Sequence, residues 1–294
     1  MHAMTTELEA ELVLDAHATL GEGPVWDVDA GVLWWVDIEG KWIHRFDPST
    51  RADTTIPTPS HVGAVALRAR GGLVAALVDG VYAVDPETGL FERLLELGEP
   101  PHVRSNESKC DPAGRLLVGT MAYEYGPIGS LYSIEADGSV RRLLAELEIA
   151  NGMAWSADGG TFYYIDSPTR RVDAFDYDLA SGSIARRGPW LEFDDPVAKP
   201  DGMAIDAEGG LWIAFWDAAQ VRRYGPDRSL DVVVRVPAMQ VTSAVLGGPD
   251  LRDLYITSAT SGLSEAKLAE QPLAGGLFHA RIPVAGLLPD RFAG

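Results

Sequence analysis

Asn151-Gly152-Met153-Ala154-Trp155 returns as Asp201-Gly202-Met203-Ala204-Ile205, and in looser form it stands near the N-terminus as Glu22-Gly23-Pro24-Val25-Trp26. Each copy sets an oxygen-bearing side chain before a glycine and an apolar run. Each is followed by a turn rich in Asp and Gly, namely Ala157-Asp158-Gly159-Gly160, Asp206-Ala207-Glu208-Gly209 and Val28-Asp29-Ala30-Gly31. Gly and Asp supply the tight-turn backbone that joins antiparallel strands. The same unit recurs at Arg70-Gly71-Gly72, Asp111-Pro112-Ala113-Gly114 and Gly248-Pro249-Asp250. Short β-type runs follow the turns at 32–38, 73–77, 116–120, 162–165, 211–215 and 254–257. A few residues upstream of each turn lies one equivalent position per repeat: Glu22, Val62, Asn106, Asn151, Asp201 and Thr242.

The interval between these positions is about 40 to 50 residues, the period of a four-stranded propeller blade. Six such units predict an all-β chain, a six-bladed β-propeller with four-stranded antiparallel blades around a central cavity. Matching strands are expected at 172–177 and 221–224. Helical signal is confined to 264–270. Little length is left for a second domain, so 11–294 reads as one propeller domain, with 1–10 as an N-terminal extension. Met1-His2-Ala3 reads as a foreign leader before a start at Met4. The segment 11–15 is expected to pair with the last blade and remove a free sheet edge.

In a propeller the innermost strands surround a channel, so equivalent positions converge in space. Four of the six positions carry Glu, Asn, Asn and Asp. Buried polar groups are costly unless paired or coordinated, and neighbouring carboxylates repel. A divalent cation relieves both problems, and an oxygen donor set suits a hard ion such as Ca²⁺, Mg²⁺ or Mn²⁺. The competing reading is local, because Asn-Gly and Asp-Gly are common turn dipeptides.

Bulk composition narrows the function classes. The chain has 294 residues, a formal net charge of -19 and 46% hydrophobic residues. That balance argues against a nucleic-acid surface or an anionic membrane as partner. No apolar stretch reads as membrane-spanning and no signal peptide is visible. The single cysteine, Cys110, forbids an intrachain disulfide and fits a cytoplasmic, reducing location. It lies in an apolar-flanked run and reads as a core residue. There is no Gly-x-Ser-x-Gly nucleophile elbow, and one Cys with six scattered His makes no zinc cluster. Trp26, Trp34, Trp35 and Trp155 occupy strand positions and read as packing residues. His61 reads as a rim or packing residue, and so does His279. Trp216 and Asp217 follow a strand end within reach of a ligand.

Several separate segments also carry a resemblance. They are Gly21-Glu22-Gly23-Pro24-Val25-Trp26, Val36-Asp37-Ile38, Asp111-Pro112-Ala113-Gly114-Arg115, Gly119-Thr120-Met121, Asn151-Gly152-Met153-Ala154-Trp155-Ser156, Tyr164-Ile165-Asp166-Ser167, Pro200-Asp201-Gly202-Met203 and Ala274-Gly275-Gly276. In order and spacing the chain resembles the gluconolactonase, regucalcin and senescence-marker-protein family, from about residue 12 to about residue 286. The resemblance implies a six-bladed propeller with one divalent metal ion (Ca²⁺, Zn²⁺, Mn²⁺ or Fe²⁺) on Glu22, Asn151 and Asp201. It implies substrate contacts at Arg104, Asn106 and Glu124, although Arg104 also reads as a solvated surface charge. The chain departs from the family where Asn106-Glu107-Ser108 replaces a common Asn-Asp-Gly. Ser fits a positive φ there poorly.

By resemblance the reaction is metal-dependent hydrolysis of a small sugar lactone to the aldonic acid, with Asp201 as general base. The alternative within the same family is a non-catalytic calcium-binding protein. An interaction scaffold would leave the polar cavity unexplained. Sugar preference and oligomeric state are not readable from the residues.

Overall fold

The computed structural model describes residues 5–124 and 126–294. Two strands open the chain, β1 (Thr6–Glu9) and β2 (Glu11–Leu14). The first blade follows as β3 (Gly21–Asp27), β4 (Val32–Asp37), β5 (Trp42–Asp47) and β6 (Ala52–Pro57). The second is β7 (Val62–Leu67), β8 (Leu73–Leu77), β9 (Val81–Asp85) and β10 (Leu90–Leu95). The third is β11 (Val103–Cys110), β12 (Leu116–Ala122), β13 (Gly129–Ile134) and β14 (Val140–Leu147). The fourth is β15 (Ala150–Trp155), β16 (Thr161–Asp166), β17 (Arg171–Asp178) and β18 (Ser183–Glu192). The fifth is β19 (Lys199–Ile205), β20 (Leu211–Trp216), β21 (Gln220–Tyr224) and β22 (Leu230–Arg235). The sixth is β23 (Val241–Gly247), β24 (Asp253–Ser258) and β25 (Leu277–Arg281), with α1 (Glu265–Glu270) in its last connection.

Each blade pairs its strands in chain order, and all those pairings are antiparallel. The sixth blade has only three strands of its own, and β2 supplies the fourth by pairing with β25. The expected pairing of 11–15 with the last blade is therefore found. Strand β1 adds to the fifth blade instead, parallel to β22, a pairing the sequence did not suggest.

The six-fold architecture follows from burial on both faces of each blade. The run Val32-Leu33-Trp34-Trp35-Val36 is apolar throughout because neighbouring blades cover both its sides. Val32, Trp34 and Val36 pack toward the second blade, while Leu33 and Trp35 pack toward the sixth. Six buried apolar clusters result, one at each contact between adjacent blades. Trp26, Trp34, Trp35 and Trp155 all lie in these clusters, and so does Cys110. Outer strands such as β10 are mostly exposed, so apolar demand falls from the axis outward.

One irregularity recurs in all six innermost strands. Pairing with the second strand slips by one residue between Glu22 and Val25, Val62 and Ala64, Ser105 and Ser108, Ala150 and Met153, Pro200 and Met203, and Val241 and Ser243. A β-bulge of this kind twists its strand and re-aims a side chain. Each of the six equivalent positions lies in or beside its blade's bulge. Asn151-Gly152 and Asp201-Gly202 are thus strand-interior bulges, not turns.

Candidate metal centre

The bulges bring Glu22, Asn106, Asn151 and Asp201 to the wall of one cavity of about 700 Å³. The other two ring positions complete the circle without free polar groups. Val62 is apolar, and Thr242 Oγ1 donates to the Gly21 carbonyl at 2.5 Å. Close approach of the innermost strands depends on the glycines after the ring positions. A Cβ on Gly152 would stand 2.7 Å from the Asp201 carbonyl oxygen and 2.7 Å from Met203 Cβ. A Cβ on Gly63 would stand 2.5 Å from the Asn106 carbonyl oxygen.

Glu22 and Asp201 are each 7% exposed, so both carboxylates have lost most of their water. Burial is the main cause that pushes Glu22 up to about 8, and the Glu107 carboxylate adds to the rise. Burial, then Glu22 and Glu107, raise Asp201 well above the usual carboxylate range. Two acids on separate blades therefore resist ionisation in the bare channel.

Side-chain anchors fix the amides. Asn151 Nδ2 donates to Ser167 Oγ at 3.0 Å, from the 3₁₀ turn Ser167–Thr169 that follows β16. Its Oδ1 is then left buried without a hydrogen-bond partner, and so is Asp201 Oδ1. Each orphaned acceptor costs on the order of 1–3 kcal/mol. A cation would satisfy these two oxygens and draw on the desolvated Glu22, whose Oε2 already accepts from the Gly23 N–H at 2.9 Å. Among the described residues, no group of three or more His, Cys, Asp or Glu is placed to hold a metal ion. The donor set is two carboxylates and an amide, which suits a hard oxygen-seeking dication. The residues present fit the group that the sequence implies.

Asn106 is anchored differently. Its Nδ2 donates to the Ala150 carbonyl at 2.9 Å, and its Oδ1 accepts from Arg104 Nη1 at 2.7 Å. Arg104 is buried beside it, also donating to the Ser105 carbonyl at 2.9 Å, so it is not a solvated surface charge. Arg104 and Asn106 thus form one rigid donor unit on the cavity wall. Glu124, by contrast, is exposed and is not among the residues that line the cavity. Tyr123 lines it instead, with its hydroxyl 3.1 Å from His61 Nδ1 across the rim. Trp216 also lines the cavity, while Asp217 pairs with Lys199 at 3.2 Å. His279 lies in β25 and pairs with Asp253 at 2.9 Å, away from the ring.

The Glu107-Ser108 departure falls in β11, not in a loop, and neither residue has a positive φ. Ser108 is therefore not strained. Both Glu107 and Lys109 line a second cavity of about 530 Å³, formed by the later halves of the innermost strands at the other end of the channel. The sequence marked Glu107 only as a departure from the family, and it offered no reason to single out Lys109.

The profile of the SMP-30/Gluconolactonase/LRE-like region matches residues 20–260 of this chain. A Bacillus subtilis protein with the provisional name sugar lactone lactonase YvrE is 37% identical, over 98% of this chain and 99% of its own length. Regucalcin of Xenopus laevis is 37% identical over 98% of this chain and all of its own length, 100%. The crystal structure of a calcium-binding protein, regucalcin, from Agrobacterium tumefaciens superposes with a TM-score of 0.93 at 29% identity, covering 98% of this chain and 99% of that one.

Proposed function

This chain belongs to the SMP-30/gluconolactonase/LRE-like family, and from that premise we propose that it hydrolyses a small sugar lactone with one divalent metal ion on Glu22, Asn151 and Asp201. The observation that carries the reading is the pair of buried, partnerless oxygens, Asn151 Oδ1 and Asp201 Oδ1, in one ring with a desolvated Glu22. When bound, the ion supplies Lewis-acid polarisation of the lactone carbonyl. Water attacks the carbonyl carbon, and the Asp201 carboxylate takes its proton. The ring C–O bond then breaks, and the proton passes to the departing alkoxide, so lactone and water become one hydroxy acid. A carboxylate beside a dication is a weak base, which the burial and like charges around Asp201 partly offset. Arg104, held in place by Asn106, donates to sugar hydroxyls or to the carbonyl. Hydroxyl-rich substrates need such buried donors for discrimination. Glu124 is expected to act from outside the cavity wall, when a substrate reaches the rim.

A panel of gluconolactone, galactonolactone, xylonolactone and arabinonolactone tests the proposal with and without chelator. Turnover is expected only with added divalent metal, and Asp201→Ala should lose both metal and turnover. Full activity of that variant would refute the site. The second reading is a non-catalytic calcium-binding protein, favoured by the likeness to the Agrobacterium regucalcin. Calcium uptake without turnover of any lactone would select it.

A further inference from the structure

Lys109 is a cation set in the same channel onto which the ring residues open. It stands three residues after Asn106 on β11. Its ammonium donates to the Met153 carbonyl at 2.9 Å and to the Met203 carbonyl at 2.7 Å. Those carbonyls lie two residues beyond Asn151 and Asp201, on the fourth and fifth blades. One side chain of the third blade thus reaches two other blades around the axis. Next to it, Glu107 puts a carboxylate where the first, second, fourth and fifth blades have Gly23, Gly63, Gly152 and Gly202. Glu107 acts electrostatically on both Glu22 and Asp201, and Lys109 acts on Glu22 and Glu107. Both also line the second cavity, on the far side of the ring residues.

Three acids and one lysine meet on so short a stretch of channel, and burial works against the charge of each, so each holds its charge only against a partner or an ion. Buried charges persist only when partners offset them. Burial works against the charge on Lys109, while Glu107 and then Glu22 favour it, and they hold it as the cation beside the ring. With a dication bound, the same ammonium repels it while Glu107 attracts it. We propose that Lys109 is a built-in competitor for the metal ion, and that the opposed charges of Glu107 and Lys109 set the ion affinity of the ring above them. The inference rests on the metal reading of Glu22, Asn151 and Asp201. The effect is one of charge more than of scaffolding. The bulged strands β15 and β19 are held by their own ladders to β16 and β20, and Asn151 is held by Ser167.

The test is calorimetric titration of Ca²⁺ into metal-free protein. Lys109→Met is expected to tighten binding by roughly tenfold or more, since removing a like charge from the neighbourhood of a dication in a partly desolvated channel is worth at least that. Glu107→Gln should weaken binding by a similar factor. The double variant should return close to the wild type, and Lys109→Arg should keep the wild-type affinity. A purely structural Lys109 would give the opposite sign, with Lys109→Met binding more weakly. The melting temperature of metal-free Lys109→Met should fall, because the Met153 and Met203 carbonyls lose their donor. If that variant does not fold, Glu107→Gln decides alone, and unchanged or tighter binding overturns the proposal. Lys109→Met that binds no more tightly than wild type also overturns it. The metal reading survives either result so long as wild type binds Ca²⁺ and Asp201→Ala does not. A wild type that takes up no ion overturns both.

Discussion

Glu22 illustrates how one buried carboxyl group couples proton binding and stability. Its ordinary value is 4.5, and burial with Glu107 nearby pushes it up to about 8 in the fold. Below the ordinary value both folded and unfolded chains hold the proton, and no cost arises. As pH rises from there to about 8, the unfolded chain ionises while the folded one keeps its proton. Stability of the metal-free protein therefore falls across that window, and the loss is complete above it. The sum is on the order of a few kcal/mol. Glu22→Gln keeps the shape without the charge. Metal-free Glu22→Gln should melt with metal-free wild type near pH ~5 and several degrees above it near pH ~8. Thermal melts of both across that range check this, and parallel curves would sink the argument. At this scale the ring was legible because its members share a phase in the repeat. The buried places of Glu107 and Lys109 beside it were not, because a charged residue in a sequence reads as surface by default. Glu124 was placed by analogy with a motif, but the side chain that faces the cavity at this rim is its neighbour Tyr123.

At the scale of the element, the bulge explains why a strand can carry a site at all. A regular strand would alternate its side chains between two neighbouring blades, as β4 does. The extra residue breaks that alternation at one level and turns the ring residue toward the axis. The sequence showed the dipeptides Asn151-Gly152 and Asp201-Gly202 without showing this, since the same pairs serve turns equally well. What separates the two is the contact made by the glycine, which lies on a different blade. A Cβ on Gly152 would press on the Asp201 carbonyl and on Met203. Gly152→Ala is therefore expected to cost about 1–3 kcal/mol, as overpacking does. On the proposed metal reading it should also weaken ion binding, because the displaced strand carries Asp201. Chemical denaturation and Ca²⁺ titration of the one variant read both effects. A variant that loses stability but keeps wild-type affinity would show that the ring tolerates a shift of β19.

Closure is a property of the whole molecule, and it uses both ends of the chain. The sixth blade is finished by β2, with Glu11 opposite His279 and Leu12 opposite Phe278. Leu12 also packs on the cluster between the fifth and sixth blades, and Val13 and Leu14 pack on the one between the sixth and first. Strand β1 contributes less. It adds Leu8 to one of these clusters and an exposed ion pair, Glu7 to Arg235 at 3.0 Å, on the outside of the fifth blade. The period of the repeats foretold the first closure, because three late strands needed a fourth. Nothing in the period asks for a fifth strand, so β1 was invisible to it. Two truncations separate the roles. A chain beginning at Ala10 loses one half-buried leucine, about 1–2 kcal/mol, and should melt ~2–4 °C lower. A chain beginning at Asp15 also strips Leu12, Val13 and Leu14 and leaves β25 as a bare edge. It should melt ~10 °C lower or more and associate through that edge, which pairs readily with another chain. Thermal melts with size-exclusion chromatography distinguish the outcomes. If the shorter chain stayed at wild-type size and melting temperature, the ring would be closed by its inter-blade clusters alone, and β2 would be ornament on a self-sufficient core.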